Sequence, residues 1–272
     1  MLMSRARPLL GTVVSIHVHA DCVPFAAIEH AIDEAFHAIA HINRVMSAHH
    51  PESDLGRMAR GHAGDELTVD PQTLCVIQAA QSWCQRSGGA FDPCHAGDVL
   101  SRQGRRPALV GDAVGGLHDI VVVSDTCLRL ARPVKLDLGG IAKGFAVDRA
   151  IETLVKYGVS NALVNAGGDM RAIGQHQWPV DIRHADQSLM DMRLRSCQSL
   201  RGQAMATSVS GRWNPEFVSR RSLGKAKWQS VTVVANSCLL ADVLTKWAMQ
   251  ASLLCPQLRQ VLRLHGARMW RT

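Results

Sequence analysis

The chain has 272 residues, of which 47% are hydrophobic and only 4% aromatic, so it can bury a sizeable core that must be mainly aliphatic. Its formal net charge of +7 at pH 7 suits an anionic ligand or partner. Arginine is spread along the chain rather than clustered, which argues against nucleic-acid binding, and no stretch approaches the roughly 20 apolar residues that span a membrane.

The first part of the chain predicts one strand and two helices. Residues 9–20 alternate in the manner of a strand and place His17 and His19 on one face, where an exposed polar face is favoured over a metal pair. Residues 24–46 carry apolar side chains at helical spacing and predict a packing helix. Residues 70–87 predict a second helix, with a proline in its first turn.

Shorter elements are predicted before and after the middle of the chain. They are a turn at 88–93, a surface excursion at 100–116, a hairpin at 120–123 and 127–130, strands at 180–183, 190–194, 203–208 and 230–235, a helix at 238–249, and a closing strand at 258–270 with a turn at His265-Gly266. Thr207 and Ser208 end one of these strands. The two hydroxyls could bind a phosphate or ribose, or the pair could be an ordinary strand end, and the sequence favours neither interpretation.

Residues 135–174 form the stretch around which the chain is organised. They contain, in order, Asp137, a glycine pair at 139–140, Lys143, a helical pattern at 145–156, a strand at 159–164 and a sharp turn at 165–169. Glycine lets a ligand approach the backbone, and a helix N-terminus favours an anion such as phosphate. The spacing matches neither the P-loop nor the dinucleotide-binding fingerprint. A phosphate or nucleotide site and two tight turns around a packing helix therefore both stay open.

Two segments of this stretch carry a resemblance to a known family. LDLGGIAKGFAVD, at 136–148, and NALVNAGGDMRAIG, at 161–174, resemble the core of the FAD:protein FMN transferases, the ApbE-like family. The resemblance extends from Leu10 to about Met249, with one gap at 212–229. It implies a single α+β domain over residues 1–272, with T-fold-like mixed sheet layers and packing helices.

The resemblance also implies an activity. Members of this family move FMN from FAD to a Thr or Ser hydroxyl of a target flavoprotein and release AMP, with Mg²⁺ as the cofactor. We therefore expect FAD and an acceptor flavoprotein as partners, and neither nucleic acid nor a membrane span. Two alternatives remain, namely a degenerate relative that binds FAD without transferring FMN, and a Mg²⁺-dependent FAD pyrophosphatase.

Site residues follow from the positions that match the family pattern. The implied FAD-binding residues are Leu10, His49, Ala90, Phe91, Asp92, Asp137, Lys143, Gly167, Gly168 and Asp169. Asp242 and Thr245 lie three apart, share a helix face, and match the segment whose oxygen atoms bind the metal in the family. A backbone carbonyl completes that set and maps to Gly140, with Ala142 as the alternative. The pattern assigns no general base.

Several positions depart from the family pattern. Leu10 stands where a Met is usual, His49 where an aromatic ring stacks, and Ala59 where an Asn is common. The usual H-x-x-D-P-x-[TS]-G segment is missing, and residues 212–229 instead contain RWNPEFVSRRSLGKAKWQ. These departures motivate the two alternatives to FMN transfer.

The location is predicted from the ends and the cysteines. The first ten residues contain no apolar run of signal-peptide length, and no lipidated Cys follows them, whereas many members of the family are exported lipoproteins. The eight cysteines are scattered and form no C-x-x-C pair, as in a reduced protein without a zinc ribbon. We therefore expect a cytoplasmic location.

Overall fold

The structure is a computed structural model that describes residues 2–19, 24–94, 115–182, 196–209, 228–252 and 254–271. Its strands are β1 (Leu2–Leu9), β2 (Thr12–His19), β3 (Glu66–Thr68), β4 (Ile120–Val122), β5 (Cys127–Leu130), β6 (Ala162–Ala166), β7 (Asp169–Ile173), β8 (Trp178–Ile182), β9 (Ser196–Leu200), β10 (Ala204–Val209), β11 (Ser230–Ala235) and β12 (Arg268–Arg271). Its helices are α1 (Phe25–Val45), α2 (Asp54–Met58), α3 (Pro71–Arg86), α4 (Ala142–Lys156), α5 (Cys238–Gln250) and α6 (Pro256–Leu264), with a 3₁₀ turn at Leu117–Asp119.

A seven-stranded sheet forms the centre of the molecule. Its order is β1-β2-β6-β7-β10-β11-β12, and every neighbouring pair is antiparallel. Helices α4 and α5 pack on one face of the sheet, and α1 packs on α4. The other face carries the β8–β9 hairpin over a smaller apolar cluster that includes Trp178 and Met205. A second sheet, of order β3-β5-β4, confirms the predicted hairpin at 120–130.

The first strand was not predicted, because it lacks the pattern that a buried strand shows. The expected strand at 9–20 is in fact the second arm of a hairpin, in which β1 pairs with β2 around a turn at Leu10-Gly11. Most side chains of β1 are exposed, because β1 is an edge strand. Two of its arginines pair with acidic residues of α1, Arg5 with Glu29 and Arg7 with Asp33.

The helix predictions are largely confirmed, with shifted ends. Helix α3 begins at Pro71, and the Oδ1 atom of Asp70 caps it by accepting the Gln72 N–H at 2.8 Å. Helix α4 begins at Ala142 rather than 145, which places Lys143 in its first turn. The following strand lies at Ala162–Ala166 rather than 159–164.

Other predictions need correction. The turn at 165–169 is the tight end of the β6–β7 hairpin, so a strand that was not predicted begins at Asp169. The segment 258–270 is mostly helix α6, because Pro256 starts a helix and apolar residues recur at helical spacing; only its end is strand β12. Most of the predicted excursion at 100–116, the predicted strand at 190–194, and residues 212–227 lie outside the described residues.

No helix in the described part of the chain is long and apolar enough to cross a membrane.

Candidate active site

A cleft of about 400 Å³ opens where the β1–β2 turn, the end of α1, the start of α4 and the end of β10 meet. Its wall is formed by Leu10, Gly11, Ile42, Asn43, Met46, Ser47, Ala48, His49, Asp137, Gly139, Ala142, Lys143, Thr207, Ser208 and Lys246. The wall combines apolar side chains with two lysines and three hydroxyl groups. The cleft can therefore take a ligand with a flat apolar part and an anionic part.

The turn that borders the cleft is strained. Leu10 has a φ of 55°, in the left-handed region that bulky residues rarely adopt, and Gly11 follows with a φ of 69°. Two positive φ values in a row are what a two-residue hairpin turn requires. Strain of this kind is retained where the surroundings enforce it, and functional sites are common among such places.

The cleft wall at 46–49 is held by the short segment that follows it. The Ser53 hydroxyl lies within hydrogen-bond distance of the main-chain oxygens of Ser47 and His50, and its oxygen accepts the Gly56 N–H at 2.9 Å. The buried Asp54 carboxylate ties this segment to α3 by accepting from the Asp70 N–H at 2.9 Å and the Thr73 hydroxyl at 2.6 Å. These residues fix the wall rather than contact a ligand in it.

The glycine-rich loop before α4 serves close packing as well as the cleft. The Asp137 carboxylate accepts the Gly139 N–H at 2.8 Å, which closes the loop on itself. A Cβ on Gly144 would lie 2.5 Å from the Cys238 carbonyl oxygen, so only glycine lets α4 approach α5 this closely. A Cβ on Gly140 would lie 3.2 Å from Cγ of Lys246.

A buried carboxylate joins α4 to the start of α5. Asp148 is 5% exposed and accepts hydrogen bonds from the main-chain N–H groups of Cys238 and Leu239, both at 2.9 Å. The guanidinium of Arg171, on β7, pairs with the same carboxylate at 2.8 Å. Asp148 thus stabilises the N-terminus of α5, where otherwise unpaired N–H groups and the helix dipole favour a negative charge.

The Cys238 thiol beside this carboxylate is not a nucleophile. Complete burial, together with the negative charges of Asp169, Asp148 and Asp242, raises the pKa of Cys238 well above its usual value. The side chain therefore stays a neutral thiol in the core.

Asp169 is a second buried carboxylate, at the start of β7. It is 3% exposed, and the Nζ atom of Lys143 lies 3.4 Å from its Oδ2 atom. Burial, and then the negative charge of Asp242, raise the pKa of Asp169 to about 6, against the opposing effect of Lys143 and Lys246. This carboxyl group therefore changes its protonation state close to neutral pH.

Asp242 is a third buried carboxylate and sits in a polar cluster on α5. Its side chain is fully buried, and its Oδ1 atom accepts from the Lys246 ammonium at 2.7 Å. The same ammonium donates to the Ser208 hydroxyl at 2.8 Å. Ser208 and Thr245 share a hydrogen bond of 2.6 Å, and the Thr245 hydroxyl lies 2.7 Å from the Asp242 carbonyl oxygen. The cluster links the end of β10 to the cleft.

A family model described as the ApbE family matches residues 10–254 of this chain. The chain belongs to the ApbE family. This membership agrees with the resemblance in residues 136–148 and 161–174, and it is independent of the cleft geometry.

Relatives of the chain carry one name. Proteins named FAD:protein FMN transferase from Treponema pallidum and Rhodobacter capsulatus are 28% and 30% identical to it over 187 and 190 residues, which are 63% and 64% of this chain. The matches cover 51% of the Treponema protein and 36% of the Rhodobacter protein, so the chain spans about half or less of their length.

Solved structures of the family share the fold. The whole chain superposes on 90% of the Pseudomonas stutzeri flavinyl transferase ApbE in its apo form, with a TM-score of 0.81 and 20% identity. It also superposes on 94% of the ApbE protein from Thermotoga maritima, with a TM-score of 0.81 and 23% identity. The α+β fold expected from the sequence is thereby confirmed.

The structure brings four of the ten predicted FAD-binding residues to the cleft wall, namely Leu10, His49, Asp137 and Lys143. Phe91 is buried behind that wall, close to Gly140. The Asp92 carboxylate accepts a hydrogen bond from the Cys94 N–H at 3.0 Å. Ala90 precedes it in the same turn and does not line the cleft.

The two glycines of the β6–β7 turn have conformational roles. Gly167 has a φ of 67°, and a Cβ there would lie 2.6 Å from the Thr12 hydroxyl oxygen, while Gly168 has a φ of 107°. The Asn165 side chain accepts the Gly168 N–H at 2.9 Å. This turn holds Asp169 behind the cleft, in contact with Lys143.

Lys246 lines the cleft and was not predicted as a site residue. Its only local signal is its position four residues after Asp242, a spacing that brings the two side chains together on a helix. Thr207 and Ser208, left open by the sequence, also line the cleft.

The three residues that the ApbE resemblance implies for Mg²⁺ do meet, but around a lysine. The stem of Lys246 packs on Gly140, and its ammonium contacts Asp242 and, at 3.4 Å, the Thr245 hydroxyl. A Mg²⁺ ion would need to lie about 2.1 Å from the same oxygen atoms. As these side chains are arranged, they do not fit a divalent ion. Among the described residues, no three His, Cys, Asp or Glu side chains are grouped to hold a metal.

Proposed function

We propose that this chain transfers FMN from FAD to a Thr or Ser hydroxyl of an acceptor flavoprotein and releases AMP. Membership of the ApbE family carries the proposal, because the relatives in that family are named for this reaction. The proposal takes residues 1–272 as one domain, since the central sheet and the helices on it draw on both halves of the chain.

In the proposed reaction, the acceptor oxygen attacks the phosphorus atom on the riboflavin side of FAD. A new P–O bond forms, the P–O bond to the AMP phosphate breaks, and the proton of the acceptor hydroxyl passes to water. The departing AMP carries the additional negative charge, so cations and hydrogen-bond donors near the diphosphate lower the barrier.

The cleft offers suitable groups for this diphosphate. Lys143 lies in the first turn of α4, where the positive end of the helix dipole also favours an anion. Lys246, Thr207 and Ser208 also line the cleft. The apolar side chains of Leu10 and Met46 can contact a flat ring, and the exposed His49 lies at the rim.

Mg²⁺ belongs to this proposal only as a prediction from the resemblance. The resemblance maps the ion to Asp242, Thr245 and the Gly140 carbonyl. Because Lys246 already contacts the first two of these residues, we assign no step to the ion. The cytoplasmic location likewise stays a prediction from the sequence.

The test is incubation of the purified chain with FAD, Mg²⁺ and an acceptor flavoprotein domain. We expect the intact mass of the acceptor to rise by one FMN and AMP to appear in equal amount. Lys143→Met should lower the rate by about a hundredfold, since it removes a cation from the diphosphate site. Lys156→Met, at the exposed opposite end of the same helix, is the matched control and should keep the rate of the unaltered chain.

The products also separate the alternatives. Free FMN and AMP, together with an unmodified acceptor, would show that the chain hydrolyses FAD instead of transferring FMN. Intact FAD, with or without binding to the chain, would indicate a family member that has lost the chemistry. Equal rates for the two lysine variants would contradict the assignment of Lys143 to the diphosphate.

A further inference from the structure

The cation that faces Asp242 is part of the chain itself. The Lys246 ammonium lies 2.7 Å from Oδ1 of Asp242 and 2.8 Å from the Ser208 hydroxyl oxygen, distances typical of charge-assisted hydrogen bonds. A third oxygen, from Thr245, lies at 3.4 Å. An ammonium has three protons to donate, and these three oxygen atoms lie within reach of them.

The surroundings of Lys246 are shaped to hold it in this position. Its side chain is only 13% exposed, and that of Asp242 is fully buried. The lysine stem lies against Gly140, where a side chain would crowd it: a Cβ would be 3.2 Å from Cγ and 3.3 Å from Cε. The pair also has the favourable helical order, with the acid four residues before the base.

We propose that the Lys246 ammonium occupies the cation position beside Asp242, so that this chain binds no divalent ion there. A metal in contact with the same oxygen atoms would have to displace the ammonium, and the two positive charges would then repel each other across a buried site. The lysine neutralises Asp242, and the same ammonium-bearing side chain also lines the cleft.

This inference concerns the site of the proposed FMN transfer, but it does not rest on transfer taking place. It predicts which cation neutralises Asp242, and metal binding can be measured without FAD or an acceptor. A failure of the transferase assay therefore leaves it unaffected, and a failure of the metal experiment leaves the transferase proposal in place.

The experiment is titration of the full chain with Mn²⁺, with free Mn²⁺ followed by its electron paramagnetic resonance signal. The variants are Lys246→Met, which removes the ammonium and keeps much of the bulk, and the double variant Asp242→Asn with Lys246→Met. Lys156→Met, which removes an exposed lysine, is the matched control for loss of one positive charge.

We expect the unaltered chain and Lys156→Met to show no stoichiometric site. Lys246→Met should gain one Mn²⁺ site per chain, because the Asp242 carboxylate is then unpaired. Its affinity should exceed any weak Mn²⁺ binding by the unaltered chain by about tenfold or more. The double variant should lose that site again. Tight Mn²⁺ binding by the unaltered chain that disappears in Asp242→Asn would overturn the inference. The absence of binding in every variant would overturn it as well, because Lys246 would then not be what excludes the ion.

Lys246→Met leaves a buried charge without its partner and can therefore unfold. Thermal unfolding of the unaltered chain provides an independent measurement. Its melting temperature should be the same with Mn²⁺ as with a chelator, since a ligand that binds the folded state would raise it. A rise with Mn²⁺ that is absent in Asp242→Asn would contradict the inference without any change to Lys246.

Discussion

The carboxylate of Asp148 offers a sharp test of how the site is assembled. It lies on α4 and accepts the first two N–H groups of α5, 90 and 91 residues further along the chain. It also pairs with Arg171 on β7. One side chain therefore joins the two helices and the strand that position Lys143, Asp242 and Asp169.

The cost of Asp148→Ala can be estimated from these contacts. Loss of a helix cap costs about 1 kcal/mol. Removal of one partner from a buried ion pair costs about 3–5 kcal/mol, although Arg171 is 25% exposed and can recover part of this through water. We expect a net loss of about 3 kcal/mol in the free energy of unfolding. At roughly 2–4 °C per kcal/mol, the melting temperature should fall by about 6–12 °C.

Urea denaturation and thermal unfolding of matched variants measure this loss. Asp148→Asn keeps one oxygen acceptor and should lose about half as much free energy. Glu152→Ala removes an exposed carboxylate from the same helix, one that pairs with Arg149 three residues earlier, and should cost less than about 0.5 kcal/mol. If Asp148→Ala were no more destabilising than Glu152→Ala, the proposed link between α4 and α5 would be wrong.

Three further predictions concern the same region. Gly144→Ala should lower the free energy of unfolding in urea by about 1–3 kcal/mol or more, since its Cβ would meet a main-chain oxygen at 2.5 Å. Gly140→Ala should cost less, because its Cβ meets the flexible Lys246 side chain. Equal costs for the two variants would contradict this reasoning. Burial raises the pKa of Asp169 from 3.8 to about 6, so the folded state binds this proton more tightly than the unfolded state does. The resulting stabilisation of the fold is complete below pH 3.8 and is lost as the pH rises through 6. Relative to Asp169→Asn, the unaltered chain should therefore lose about 1 kcal/mol of unfolding free energy between pH 5 and 8, and a constant difference would refute the shift. Leu10→Gly should relieve about 1 kcal/mol of backbone strain and so not lower the melting temperature, whereas FAD binding, measured by fluorescence, should weaken.

The sequence predicts the elements whose signals are local. Helix α3 has its capping aspartate and first-turn proline, and β11 is a short run rich in β-branched residues that is buried throughout. Strand β1 was not predicted, because an edge strand with both faces near water needs no alternation of apolar and polar residues. Helix α6 was predicted as a strand, because the spacing of its apolar residues is also compatible with a strand. The signal for a helix is Pro256, which is its first residue.

The site is predicted less completely than the fold. Residues in matching motifs, such as Asp137 and Lys143, reach the cleft as expected. Phe91 and Gly167 match the same pattern but act behind the wall, and a pattern of residue types does not separate these two roles. Contacts such as Asp148 with Cys238 join distant parts of the chain, so the sequence alone carries no local sign of them.

The buried charges link the stability of the fold to the proposed anion site. Three buried carboxylates each have a basic partner: Asp148 with Arg171, Asp169 with Lys143, and Asp242 with Lys246. Each acid costs free energy to bury, and its partner offsets that cost. Two of the partners, Lys143 and Lys246, also line the cleft, so the carboxylates behind them fix the positions of the positive charges before any ligand arrives. In the proposed reaction the diphosphate would meet cations that need little reorganisation, which is the condition under which such charges contribute most to phosphoryl transfer.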